Sequence, residues 1–188
     1  MIDLFCVASG GSLTKADCAL VANSGAKILT VNNTWQMFEK SDYIYAGDLK
    51  WWMAYHDKII IPAERWTSSK KAARDYHLNL HTANGPFNSG MRAIQWAIQN
   101  GFKSIALLGY DCSLKNGSHW HGNHNFKTAS ALTQQKINKW KMQFLKVEKQ
   151  AKSAGVKIYN CSRYTELVCF PRAVLEDVLG LTAAPPSV

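Results

Sequence analysis

The densest chemistry in the sequence is a run of imidazoles, His119-Trp120-His121-Gly122-Asn123-His124. Three chemistries compete for it. His-x-His-x-x-His can gather imidazoles on a metal ion, with Asp111 adding an oxygen. A loop histidine titrates near neutral pH and can take the proton of a sugar or other hydroxyl as it attacks. The same rings can instead hold a phosphate or pack within the loop. No Asp-x-Asp pair occurs, so the common way of holding a nucleotide sugar through a divalent ion is missing. No Ser-His-Asp or Cys-His set can be argued from residue order.

The second pattern is Ala8-Ser9-Gly10-Gly11-Ser12, between an apolar run and a helical one. A strand, a glycine turn and a helix N-terminus make a phosphate cradle, because glycine lets backbone approach the ligand and the helix end offers N–H groups. The spacing is neither Gly-x-Gly-x-x-Gly nor a P-loop. Asn32 and Asn33 close a second strand; an asparagine there reads a base or ribose, or forms an Asx turn. Gly47-Asp48, Asn88-Ser89-Gly90 and Gly109-Tyr110-Asp111 are further polar ends of apolar elements. Ligands of open α/β sheets lie beyond the carboxyl ends of the strands, which would place Asp48 and Asp111 on one rim with the turn at Ser89. Asp111 serves equally as a loop cap.

The elements that must position these residues follow from periodicity. Apolar runs predict strands over 2–8, 27–31, 41–47, 59–61, 104–108 and 156–159. Leu13, Ala16, Leu20 and Val21 predict a helix ending near Ala22. Ser89 is expected as the N-cap of a helix carrying Met91, Ile94, Ala97 and Ile98 and closed by Gly101. The longest helix is expected over 132–154, and a short one over 172–179. Trp51, Trp52 and Tyr55 form an aromatic cluster that stacks a ring or packs the core. Strands alternating with helices predict a three-layer, Rossmann-like α/β fold, a mostly parallel sheet with helices on both faces. A single nucleotide-binding domain is expected over 1–181, with a loop-rich insertion at 64–87, a His-rich active-site loop at 113–130 and a frayed tail at 182–188.

Composition bounds the rest. The 188 residues are 47% hydrophobic and 19% charged, enough for a full core. No apolar run approaches the ~20 residues of a membrane span, and five cysteines without CxxC spacing suit reduced, buried thiols. A cytoplasmic protein without a membrane partner is expected. Net charge is +9, with Lys136, Lys139, Lys141, Lys146, Lys149 and Lys152 on one helix. Such a face favours anionic partners, a nucleotide or a polyanionic acceptor such as DNA, or is simply solvated.

Together these motifs resemble the bacterial sialyltransferase family typified by the Campylobacter enzymes, and related uncharacterised phage glycosyltransferase-like proteins. The family's Gly-Asn-Gly-Pro-Ser-Leu turn matches Ala8-Ser9-Gly10-Gly11-Ser12-Leu13, and its asparagine after the second strand matches Asn32. Its Thr-Ser-Gly matches Asn88-Ser89-Gly90, and its Ser-Gly-Ile-Asp matches Leu108-Gly109-Tyr110-Asp111. Its His-Tyr-Ile-Gly-His loop matches His119 to His124. Ser9 and Gly11 stand where the family has Asn and Pro, and the family's base histidine aligns with Asn123, one place before His124 and two after His121. Ser113 and Trp120 stand in place of tyrosines near the sugar phosphate.

The resemblance implies a metal-independent, sialyltransferase-like transferase that uses a nucleotide sugar as substrate, a cytidine nucleotide in the family, and no cofactor. Ser9, Gly10, Gly11, Ser12, Asn32, Asn88, Ser89, Gly90, Gly109 and Asp111 would hold the nucleotide, with Asp48 on the same rim. His124, or failing that His121, would activate the acceptor hydroxyl, with His119 and Trp120 touching the acceptor or the loop. A phage origin would place the protein in the host cytoplasm. The alternatives are a nucleotide- or nucleic-acid-binding module without turnover, and a pterin pyrophosphokinase-like transferase, whose chemistry wants magnesium and clustered carboxylates.

Overall fold

In the computed structural model, which describes residues 1–122 and 132–181, the chain runs β1 (Leu4–Val7), α1 (Lys15–Ala22), β2 (Lys27–Val31), β3 (Tyr43–Tyr45), α2 (Leu49–Tyr55), β4 (Glu64–Thr67), α3 (Lys70–Asp75) and β5 (Asn79–Leu80). It continues through α4 (Ser89–Gln99), β6 (Ser104–Leu108), α5 (Gln134–Ser153), β7 (Lys157–Asn160) and α6 (Leu175–Val178). Alternation within the central strands sets the architecture. Leu4 and Cys6 enter one core while Phe5 and Val7 enter another, and β6 repeats this with Ile105 and Leu107 against Ala106 and Leu108. Strands apolar on both sides must be covered on both faces, the condition met by parallel sheets with crossover helices.

The result is one seven-stranded sheet in the order β5-β4-β3-β2-β1-β6-β7. Every pairing is parallel. Helices α4 and α5 cover one face through Met91, Ile94, Phe144 and Val147. Helices α1 and α6 cover the other through Cys18, Val21 and Leu175, and α2 and α3 extend that layer around Ile44, Trp52 and Ala72. The three-layer α/β architecture is therefore as the sequence pattern implies.

Local rules explain most boundaries. Thr14 caps α1 by accepting from the Asp17 N–H at 3.1 Å, and Thr133 caps α5 by accepting from the Lys136 N–H at 3.3 Å. Asn88, one residue before the expected Ser89, caps α4 by accepting from the Met91 N–H at 2.9 Å. Gly101 follows α4 with φ +86°, the left-handed closure expected of it.

One expectation is corrected. The isoleucines at 59–61 form no strand. Ile59 and Ile61 pack around Trp52, while Ile60 is 87% exposed. Pro62 has no N–H for a ladder, and pairing with β3 starts at Glu64. The segment 64–87, expected as loop-rich, carries β4, α3 and β5 between its loops, all too short and polar to show a periodic apolar pattern. Of the two roles open to the aromatic cluster, Trp51 and Trp52 take the core: they lie in α2 and are 3% and 0% exposed. The tail at 182–188 lies outside the described residues.

One ion pair fastens the α1 layer to the sheet. Arg163, just after β7, donates to the buried Asp17 carboxylate through Nε at 2.8 Å and Nη2, and to Glu176 Oε1 at 2.6 Å. Both carboxylates push the guanidinium pKa up, Asp17 most. Arg163→Ala leaves Asp17 buried without this partner. It is expected to lower unfolding free energy by about 2 kcal/mol, below the ~3–5 kcal/mol of a fully enclosed pair, because the Arg163 side chain is 41% exposed and water screens it. Urea denaturation measures the loss.

Candidate functional site

The strand order reverses between β1 and β6, and sheets of this kind open a crevice where it does so. Here the two strand tips stay joined beyond their ends. The Ala8 N–H donates to the Leu108 carbonyl at 2.8 Å and the Gly10 N–H to the Gly109 carbonyl at 2.9 Å. Such close approach needs glycine. Gly109 has φ +67°, and a Cβ on it would lie 2.2 Å from the Ala8 carbonyl oxygen; a Cβ on Gly10 would lie 2.5 Å from Asp111 Oδ1.

Asp111 locks the junction. Its Oδ2 accepts from the Ser12 N–H and its Oδ1 from the Ser12 hydroxyl, both at 2.7 Å. Only 3% of Asp111 is exposed, and burial raises its pKa against the opposing effect of the two Ser12 bonds. Both carboxylate oxygens thus have partners within the protein. Of the turn expected as a phosphate cradle, this carboxylate takes the Ser12 N–H. The Ser12 and Gly10 N–H groups are committed inside the fold, and α1 starts only at Lys15, beyond the Thr14 cap. Gly11 is shielded as well, since a Cβ there would meet the Asn116 carbonyl oxygen at 1.9 Å.

A cleft of about 140 Å³ opens beside this junction. It brings together nine of the expected residues: Ser9, Gly10, Asn32, Asn88, Ser89, Gly90, Gly109, Asp111 and His119. Gly11, Ser12, Asp48, Trp120 and His121 do not line it. Asp48 is exposed ahead of α2, and the Trp120 ring packs on the α1-side core. Asn33, the neighbour of Asn32, accepts from Trp51 Nε1 at 2.7 Å and donates to the Tyr55 hydroxyl at 3.0 Å, so it serves the α2 layer. His124 lies outside the described residues.

Each wall has an identifiable support. Ser89 and Gly90 open α4, whose first-turn N–H groups have no intrahelical acceptor. The Ser89 hydroxyl accepts from the Gly47 N–H at 3.0 Å, tying this helix end to the tip of β3. The Tyr110 hydroxyl donates to the Gly90 carbonyl at 3.1 Å, and burial drives its pKa well above the usual phenol value. On the far side the Ser113 hydroxyl donates to Glu166 Oε1 at 2.6 Å, and Lys141 holds Glu166 Oε2 at 2.6 Å. Lys141 and then Ser113 keep the Glu166 carboxyl below its ordinary pKa.

The histidine loop folds back onto the first turn. His119 Nδ1 lies 2.9 Å from the Ser9 hydroxyl, and the Trp120 N–H donates to the Ser9 carbonyl at 3.0 Å. The His121 ring stacks on His119 with centroids 5.1 Å apart and planes 4° from parallel. His119 is therefore the imidazole that the described residues place in the cleft lining. Among the described residues no three His, Cys, Asp or Glu side chains converge as a metal-ligand set.

Sequence reasoning missed Ser118, Cys112, Trp140 and Phe144, which also line the cleft. Trp140 and Phe144 sit one turn apart on the apolar stripe of α5, where the pattern reads only as core. Cys112 has φ +47°, and its type carries no signal for that turn.

No family model matches the sequence, and no curated protein matches it. Among solved structures, the fold is similar to a point variant of the sialyltransferase CST-II in complex with CMP. The TM-score is 0.54 at 16% identity, over 90% of this chain and 84% of that one. The likeness supports the α/β fold.

Asp111→Ala strands the Ser12 N–H and hydroxyl at a closed junction. We expect a loss of about 3 kcal/mol in urea denaturation, against about 1 kcal/mol for Ser12→Ala.

Proposed function

We propose that the protein is a nucleotide-sugar-dependent glycosyltransferase that works without a metal ion, with a histidine of the 113–130 loop as general base. The observation that carries this is one cleft bordered by a helix N-terminus, two strand tips and an imidazole. The CMP held by the similar solved structure supports a nucleotide as the donor's leaving group.

In this mechanism the donor phosphate sits at the start of α4. Ser89 and Gly90 offer first-turn N–H groups, and the helix dipole adds partial positive charge. The chain's own cradle for the leaving group is thus the α4 turn, with Ser9 and Gly10 as its neighbour wall. Asn32, at φ +51° past the tip of β2, presents an amide to the nucleoside. The acceptor oxygen bonds to the anomeric carbon as the bond from that carbon to the phosphate oxygen breaks. The phosphate leaves with the electron pair, and the acceptor proton passes to the imidazole. Amides aimed at the phosphate stabilise the charge that develops there.

His119 fits the base role through its place in the cleft lining, with Ser9 fixing its ring through Nδ1. His121 backs that ring by stacking. His124 belongs to the same loop and is the competing assignment.

Two outcomes follow. In a thermal-shift panel, cytidine nucleotides raise the melting temperature, by about 2.7 kcal/mol of added stability at a hundredfold excess over Kd, and purine nucleotides do not. A purine response with no cytidine response removes the donor assignment. In transfer assays His119→Ala lowers kcat about 10²- to 10⁴-fold and keeps cytidine-nucleotide affinity. Retained turnover in that variant, with loss in His124→Ala, moves the base to His124.

A further inference from the structure

Beyond the cleft, the same carboxyl edge of the sheet carries a second pocket, of about 180 Å³. Ser68 follows β4, His81 follows β5, Lys70 opens α3, and Arg92 reaches in from the first turn of α4. Arg92 Nη1 donates to the Ser68 hydroxyl at 2.9 Å. A Cβ on Gly47 would come 2.9 Å from that same nitrogen, so the glycine at the tip of β3 leaves room for the guanidinium.

Among the described residues Arg92 is in no ion pair, and its buried Nε has no hydrogen-bond partner. His81 is only 4% exposed. Its Nδ1 lies 2.7 Å from the Tyr45 hydroxyl, and its buried Nε2 has no partner within bonding distance. Burial lowers the His81 pKa, with the Gln99 side chain opposing. A neutral ring that accepts from Tyr45 at Nδ1 carries its hydrogen on Nε2. The carboxylate felt here is Asp48, whose charge acts on Tyr45, and it is exposed to screening solvent. Buried polar groups are normally matched, so two cations and unfilled donors around one cavity call for an anion.

We propose that this pocket is an anion subsite, binding a carboxylate or phosphate group through Arg92, Lys70, Ser68 and His81. Resting on the transferase reading above, that group belongs to the acceptor. The Gly47–Ser89 bond joins the two sites directly, because Ser89 lines the cleft and Gly47 abuts Arg92. An acidic acceptor anchored there is held at a fixed offset from the donor.

Residue-resolved NMR titration with inorganic phosphate, and separately with acetate, tests the subsite without any assumption about turnover. Saturable shifts are expected at Ser68, Lys70, Thr82 and the Arg92 side chain. Arg92→Gln is expected to weaken phosphate about tenfold, the loss of one charge-assisted bond, and Lys70→Glu to weaken it as well, while cytidine-nucleotide affinity holds. Lys70 is exposed, so Lys70→Glu carries the test even if Arg92→Gln fails to fold. Absent or unsaturable shifts at these residues, or wild-type phosphate affinity in Lys70→Glu, overturns the subsite. In transfer assays, inhibition by phosphate that competes with the acceptor supports the acceptor assignment. Competition with the nucleotide donor overturns that assignment, and loss of all transfer with the NMR response intact counts against the transferase reading alone.

Discussion

The contact between the tips of β1 and β6 is the constraint on which the rest of the site depends. The strands would diverge there in most open sheets, leaving a crevice. Here Gly109 and Gly10 allow backbone to touch backbone, and the Asp111 carboxylate fixes the turn by both oxygens. Everything mounted on that turn inherits its rigidity. Asn116 closes over Gly11, and His119 and Trp120 attach to Ser9. The imidazole owes its place in the cleft to a carboxylate that is itself turned inward.

Charge is distributed unevenly along this edge. No lysine or arginine lines the cleft among the described residues, so an anion there depends on the α4 amides and the helix dipole. The cations stand elsewhere. Lys141 is paired to Glu166 behind Ser113, and Arg163 holds Asp17 and Glu176 on the opposite face. Lys146, Lys149 and Lys152 lie exposed along α5, outside the cleft lining. The net charge of +9 is thus mostly a surface property, and it biases encounter with anions more than it shapes the cleft.

How much of this was legible in the sequence depends on how strongly each segment repeats. Strand 104–108 and strand 27–31 were readable to the residue, because each is a short, mostly apolar run between polar or glycine-bearing turns. Clustering of Ser9, Asn32, Ser89 and Asp111 at one edge followed from parallel topology alone. The roles inside the cluster did not. Asp111 and Ser12 look like ligand-binding polar residues in sequence, and only their 2.7 Å bonds show that each satisfies the other. The pocket around Arg92 was invisible for a different reason. Its residues lie after β4, in and after β5, and in α3 and α4, and all but Arg92 come from the stretch whose short polar elements leave no period to read.

Ser89 shows how such internal commitments decide function. Its type and position at a helix start suggest a hydroxyl that grips a ligand. That hydroxyl accepts from Gly47 and keeps its own hydrogen to donate, so Ser89 can offer the cleft an O–H held in place by that bond as well as its backbone N–H. The bond also fixes the tip of β3 against the start of α4, and Arg92 projects from the same helix turn into the neighbouring pocket. The cleft and the Arg92 pocket are therefore linked by one buried hydrogen bond. A substrate pair bridging them would be measured against the separation between them, whereas either ligand alone would meet only its own half. Selectivity for the pair then arises from geometry rather than from the strength of any single contact.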